Sequence, residues 1–375
     1  MKNFCLLAFL FLLTTPSVMA QKDKESFFLF VGTYTNDQGT NGIHVYTFDS
    51  STGNFSERSK YTDIRNPSFL ALSADGENLY AVSEAGEGQG INAFSFDRNT
   101  ATLRLLNRGT SGGSGPCYVS VDRARRGVFT GNYGAGSLAV TRLEADGSLT
   151  NQVQVIQHQG RSVNERRQEK PHVHAVVLTP DEKFLLVPDL GIDKIGVYRY
   201  DPEAPQPLSH AAVPFVEVKA GAGPRHLAFH PNGKFLYAVM ELEGLVVAYD
   251  YRNGTLKEKQ IVPMVSSDFE GRIGAADIHV SPDGKFLYAS NRGDANDIVI
   301  YAISADGLLR QVGRQREGID TPRNFAIDPT GTFLLVGNQG ANNISIFRRN
   351  KQTGSLEDTG KRISVDKPVC LKFLR

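Results

Sequence analysis

One hairpin, repeated along the chain, restricts the fold more than any other feature. Its clearest copy is residues 223–242, GPRHLAFHPNGKFLYAVMEL. Two short apolar runs, Leu227-Ala228-Phe229 and Phe235-Leu236-Tyr237-Ala238-Val239, lie either side of Pro231-Asn232-Gly233-Lys234. Apolar, β-branched and aromatic runs of this length around a Pro-Asn-Gly turn predict two antiparallel strands. The unit recurs: Asn66-Pro67 leads into SFLALSADGENLYAVSE, Gly115-Pro116 into CYVSVDRARRGVFTGNY, and Pro171 into HVHAVVLTPDEKFLLVPDL. Gly274-Ala275 then leads into ADIHVSPDGKFLYASNRG, and Thr321-Pro322 into RNFAIDPTGTFLLVGNQG. The period is roughly 46 to 55 residues, the range of radially or linearly repeated units.

After each hairpin comes a third apolar run, at 91–96, 137–143, 194–200, 245–249, 298–303 and 343–347, then an Asp-Gly, Asn-Gly or Thr-Gly turn and a weaker fourth strand. Four antiparallel strands per unit predict a blade of a β-propeller; a solenoid would need parallel strands. The chain ends close the count. Lys367-Pro368 followed by VCLKFL is a first strand with nothing behind it, while 27–32 and 42–48 form a second and third strand with no first. Joined, they make a composite blade that leaves no open edge, giving seven in all.

Residues 1–20 stand apart. Lys2, the apolar stretch 4–13 and Val18-Met19-Ala20 have the pattern of a secretory leader cleaved before Gln21, with a retained anchor as the alternative. The apolar stretch is short for a bilayer span, so no membrane span is expected in the mature chain, 21–375, which is read as one domain. The 41 basic and 40 acidic residues nearly cancel, so no global field points to nucleic acid. Cys5 belongs to the leader, and Cys117 and Cys370 fall on inner strands two repeats apart, which predicts free buried thiols.

A hairpin brings its outer ends together, so polar residues before each first strand and after each second strand should meet at one mouth of the propeller channel. Those positions hold Asn66, Glu84, Tyr118, Asn132, His172, His174, Asp189, Arg225, His226, Glu241, Asp277, His279, Asn291, Arg292, Arg323, Asn324, Asn338 and Gln339. Arginines beside histidines and carboxylates suit an anionic or strongly polar small molecule, because the guanidinium fork donates two parallel hydrogen bonds. His172 and His174, at alternate positions, could form a metal pair. No third ligand stands near them in sequence, and neither a metal nor another cofactor is expected.

These hairpins, with FVGTYT near the N-terminus, closely resemble the seven-bladed lactonase family, which includes propeller-type 6-phosphogluconolactonases and fungal 3-carboxy-cis,cis-muconate lactonizing enzymes. The resemblance covers nearly the whole mature chain. It implies hydrolysis of a sugar lactone, with His174, Arg225, Glu241 and Arg292 as catalytic residues. His172 is the companion of His174 in the Pro-His-x-His form, and Asn132, Asp189, Arg323, Asn338 and Gln339 are expected to bind substrate at the same mouth. His174 or Glu241 would be the general base on water, and the arginines would hold the anionic part of the substrate. Two other functions fit the same residues: an exported binding module without chemistry, and a cycloisomerase that moves a carbon-bound proton. The leader places the chain in the periplasm or outside the cell.

Overall fold

The computed structural model describes residues 25–35, 41–84 and 88–374, so the expected leader and its expected cleavage site lie outside the described residues. Seven four-stranded antiparallel sheets are present, each continuous in chain order except one. In that one, Pro368–Leu374 pairs with Ser26–Thr33, which continues into Ile43–Asp49 and Asn54–Tyr61. We number this composite sheet blade 1 and the others 2 to 7 along the chain. The first and last strands of the described residues are thus joined in one sheet, as the unpaired terminal strands predicted.

The uninterrupted apolar runs have a simple cause. The second strand of blade 5, Phe235–Met240, is buried along its whole length. Successive side chains of a strand point to opposite faces. Phe235, Tyr237 and Val239 pack with Ile278, Leu287 and Val299 of blade 6, whereas Leu236, Ala238 and Met240 pack with Leu186, Ile195 and Val197 of blade 4. A strand sandwiched between two neighbours shows no alternation of polar and apolar residues. Each such Leu, Val or Phe contributes about 1.5–3 kcal/mol on burial.

Neighbouring blades are also pinned by polar contacts. Tyr80, Tyr237 and Tyr288, at equivalent places in three second strands, donate to the carbonyls of Gly147, Gly307 and Gly354 in the outer turn of the following blade. Gly307 has φ +82°, and a Cβ there would stand 2.6 Å from the Phe235 ring. The turn therefore needs glycine twice over, for its backbone and for its contact. Cys117 and Cys370 are free and buried.

One expectation needs correction. Arg225 and His226 do not precede the inner strand of blade 5; that strand is Pro224–Phe229 and contains both. Its register with the second strand slips between Pro224 and His226, which leaves Arg225 as the extra residue of a β-bulge.

Candidate active site

The bulge recurs and builds the floor of a site. Register breaks at the same place leave Cys117, Arg323 and Val369 unpaired in blades 3, 7 and 1, and both Ala276 and Asp277 in blade 6. In blade 4 the inner strand is only Val177–Leu178, preceded by an isolated bridge between Val173 and Asp189, and His174 takes the corresponding position. A bulge re-aims the side chain it frees. Cys117, His174, Arg225, Arg323 and Val369 all border one small void of about 10 Å³.

A second tier stands over this floor. The residue after each second strand donates its backbone N–H to a carbonyl at the entry of the inner strand: Tyr34 to Lys367, Glu84 to Asn66, Tyr133 to Gly115, Leu190 to His172, Glu241 to Gly223, Arg292 to Gly274 and Gln339 to Thr321. All but Leu190 line a cavity of about 860 Å³, together with Cys117, His174 and Arg323 from the floor and Arg167, Arg272 and Thr321 from connecting segments. The repeat thus delivers a side chain from the same position of six blades to a common space.

Charge in this cavity is organised around Glu241. Its Oε2 accepts from Arg225 Nε at 2.9 Å and lies 3.1 Å from an Arg292 Nη, and its Oε1 accepts from Arg167 at 2.7 Å. Burial works to raise the carboxyl's pKa, but Arg292, Arg225 and Arg167 outweigh it and hold it at about 2. Arg225 also donates to His226 Nε2 at 3.1 Å and to the Ala276 carbonyl. Because a guanidinium can only donate, His226 Nε2 accepts, and its Nδ1 proton is directed at Asp277 Oδ1, 2.8 Å away. Asp277 Oδ2 in turn lies 2.9 Å from His279 Nε2.

Arg323 is placed differently. Its guanidinium lies 5.3 Å over the Tyr34 ring and has no hydrogen bond or ion pair among the described residues. Tyr34 donates its hydroxyl to Glu84, at 3.0 Å from Oε2 and 3.3 Å from Oε1. His174 lies in the floor, its Nδ1 3.9 Å from Cys117 Sγ and its ring 5.4 Å from that of His226. Burial first, then the positive charges of Arg225, His226, Arg323 and Arg292, push its pKa well below the usual histidine value. The imidazole is neutral.

Comparison with known proteins decides the family. The model of the family described as lactonase, 7-bladed beta-propeller, matches residues 28–373. The chain belongs to this lactonase family. A Bacillus subtilis 6-phosphogluconolactonase is 36% identical over 348 residues, covering 92% of this chain and 97% of the relative. A Formosa agariphila 6-phosphogluconolactonase is 38% identical over 350 residues, with coverage of 92% and 99%. Among solved structures, the Pseudomonas aeruginosa periplasmic gluconolactonase superposes with a TM-score of 0.88 at 38% identity, covering 93% of this chain and 99% of that one.

Within this lactonase fold, the ten expected site residues separate into two groups. His174, Glu241, Arg292, Arg323 and Gln339 line the large cavity, and Arg225 lies in the floor beneath it. Asn132, Asp189 and Asn338 do not reach it. Each is the last residue of a second strand; after Asn132 and Asn338 the next residue, Tyr133 or Gln339, faces the other way and lines the cavity, whereas Leu190 after Asp189 does not. They hold the scaffold instead: Asn132 donates to the Ser111 carbonyl, Asp189 bonds His158 and the backbone N–H of His172, and Asn338 donates to the Gly318 carbonyl. His172 is also withdrawn, with Nδ1 on the Tyr133 carbonyl and Nε2 3.2 Å from Glu169. With both nitrogens engaged, it is not half of a free metal pair.

Sequence reasoning missed Tyr34, Tyr133, Arg167 and Arg272. Tyr34 stands inside the FVGTYT stretch and Tyr133 immediately follows Asn132, so one step of phase would have found both. Arg167 comes from residues 158–176, which separate the fourth strand of blade 3 from the inner strand of blade 4. The length and charge of GRSVNERRQEKP were the available signal.

Proposed function

We propose that the cavity hydrolyses the ester bond of a sugar lactone, the class named for the Bacillus and Pseudomonas relatives. The observation that carries this reading is the surplus of guanidinium groups: Arg167, Arg225 and Arg292 converge on the single carboxylate of Glu241, and Arg323 makes no ion pair among the described residues. Such a site has positive charge available when a carbonyl oxygen becomes an oxyanion and when a carboxylate product forms.

Water attacks the lactone carbonyl, the new C–O bond forms, and the electron pair moves onto the carbonyl oxygen toward Arg292 and Arg323. Of the two expected bases, Glu241 is unsuited, since both its oxygens are already occupied by Arg167, Arg225 and Arg292. It orients the arginines. His174 accepts the proton from water. Its basicity is suppressed by burial and by those same cations, so the negative charge developing in the intermediate raises it when it is needed. Collapse of the intermediate breaks the ring C–O bond, and His174 returns the proton to the leaving alkoxide. One water is consumed and a hydroxy acid is released.

We place this activity outside the cytoplasm. The leader pattern of residues 1–20 and the likeness to a periplasmic gluconolactonase support that location.

The test is proton release in a pH-stat with glucono-δ-lactone, 6-phosphogluconolactone and a muconolactone, with and without chelator. Turnover of a sugar lactone above its spontaneous rate is expected. Equal rates with and without protein for every lactone would leave a binding module.

A further inference from the structure

The cavity has a second carboxylate, which the hydrolytic step leaves without a task. Glu84 occupies in blade 2 the place that Glu241 occupies in blade 5: each follows the second strand, and each backbone N–H reaches a carbonyl at the entry of its inner strand, at 3.1 and 2.8 Å. Their surroundings differ, although the charge of Arg323 also acts on Glu84 from beyond ion-pair distance. Glu241 is enclosed by three guanidinium groups, whereas Glu84 makes no ion pair among the described residues, and its side chain accepts only from the Tyr34 hydroxyl. A carboxylate can accept about four hydrogen bonds, and one phenolic proton leaves most of that capacity unused. Glu84 and Tyr34 both line the cavity.

Tyr34 is suited to hold this carboxylate in place. Burial, partly offset by Arg323, pushes its pKa up to about 12, so the hydroxyl keeps its proton and continues to donate. Its ring is fixed from the other side by the Arg323 guanidinium. An acceptor fixed in this way, facing a space large enough for a small molecule, matches a ligand that brings several hydroxyl donors. A ring without hydroxyls would cover Glu84 and give it nothing in place of water, which is costly for a charged group. A substrate carboxylate placed there would meet like charge.

We propose that Glu84, oriented by Tyr34, reads the hydroxyl groups of the substrate and makes this site select polyhydroxylated lactones over lactones with a bare or carboxylated ring. The assignment rests on the hydrolytic reading above and adds the residue that sets its specificity.

The experiment compares kcat/KM for glucono-δ-lactone and δ-valerolactone, which share a ring and differ in hydroxyls, in the parent, Glu84→Gln, Glu84→Ala and Tyr34→Phe proteins. Losing a hydrogen bond to a charged group costs about 10- to 150-fold. Glu84→Ala should lose that much on gluconolactone while turnover of δ-valerolactone, which also reports an intact fold, holds or rises because the bare ring no longer covers a charge. Glu84→Gln should fall between parent and Ala, and Tyr34→Phe should lose less, mainly through KM. An equal fall on both substrates, or no change on either, overturns the assignment. If the parent turns over neither lactone, the hydrolytic reading is the one that fails. Calorimetry with gluconate then decides this one: binding that Glu84→Ala abolishes supports it, and binding that Glu84→Ala leaves intact rejects it.

Discussion

Arg225 Nε and Glu241 Oε2 lie 2.9 Å apart with side-chain exposures of only 1% and 7%, so neither charge can turn to bulk water when the other is removed. Breaking a buried pair from one side costs about 3–5 kcal/mol. Glu241→Gln should therefore lower the urea midpoint strongly and slow lactone turnover. Arg167→Gln acts on the same carboxylate from a side chain that is 42% exposed, and should cost at most about 1 kcal/mol. Equal stability losses for the two variants would contradict the buried character of the pair.

Arg225→Ala should slow hydrolysis by about two to three orders of magnitude, the usual effect of deleting one group that stabilises an oxyanion or its surroundings. Arg225→Lys should recover little of the loss, because an ammonium cannot engage Glu241, His226 and the Ala276 carbonyl at once. Single-turnover kinetics on the three proteins settles the point.

Stability should fall with acid in two stages. His226, held at about 3 by burial and by Arg225, and His174, also lowered, stay neutral in the fold but gain protons in the unfolded chain below the usual histidine value near 6.5. The unfolded state then binds more protons, so each contributes a loss of about 1.4 kcal/mol per pH unit as pH drops below that value. Glu241, at about 2, contributes stability that is complete above the ordinary carboxyl value of 4.5 and is lost between there and 2. Chemical denaturation from pH 7 to 3 measures the slope. Replacing His226 by Gln should flatten it between pH 6 and 4, and an unchanged slope would refute this assignment.

Gly293→Ala should deform one wall of the cavity. A Cβ at Gly293 would stand 1.8 Å from the Arg272 carbonyl oxygen, a backbone atom that cannot rotate away. Overpacking of this kind costs about 1–3 kcal/mol. Because Arg272, Ile273 and Gly274 line the site, KM should rise together with the loss in melting temperature. A variant with parental KM would show that this wall does not touch the substrate.

The thiols offer an inexpensive check on the floor. Burial raises Cys117 to about 12 and Cys370 to about 11, so almost no thiolate forms at neutral pH. An aromatic disulfide reagent should label neither in the native protein and both in denaturant. Rapid native labelling of Cys117 would mean that the floor is open to reagents.

The blade count and its closure were legible because second strands sandwiched between neighbours leave long apolar runs, such as Phe235–Met240, that punctuating turns make easy to align. Site residues were harder to place for a reason of phase. At the end of a second strand one position separates a scaffold residue from a cavity residue, so Asn132 was chosen and Tyr133 missed, and Asn338 was chosen alongside the true cavity residue Gln339. The bulge that turns Arg225 and Arg323 inward adds another half-step that apolar periodicity does not record. Arg167 reaches Glu241 from a connection to a different blade, and nothing local to Glu241 announces it.

Sharing blade 1 between the two chain ends sets the order in which the protein can be made. A nascent polypeptide that stops at Lys367 has produced an arc with an exposed flank at Ser26–Thr33, where Pro368–Leu374 belongs. Val369 and Cys370 arrive only with that final segment, so the floor beneath the arginines is completed last and all at once. Without Pro368–Leu374 the other six blades can be whole and the site still unfinished.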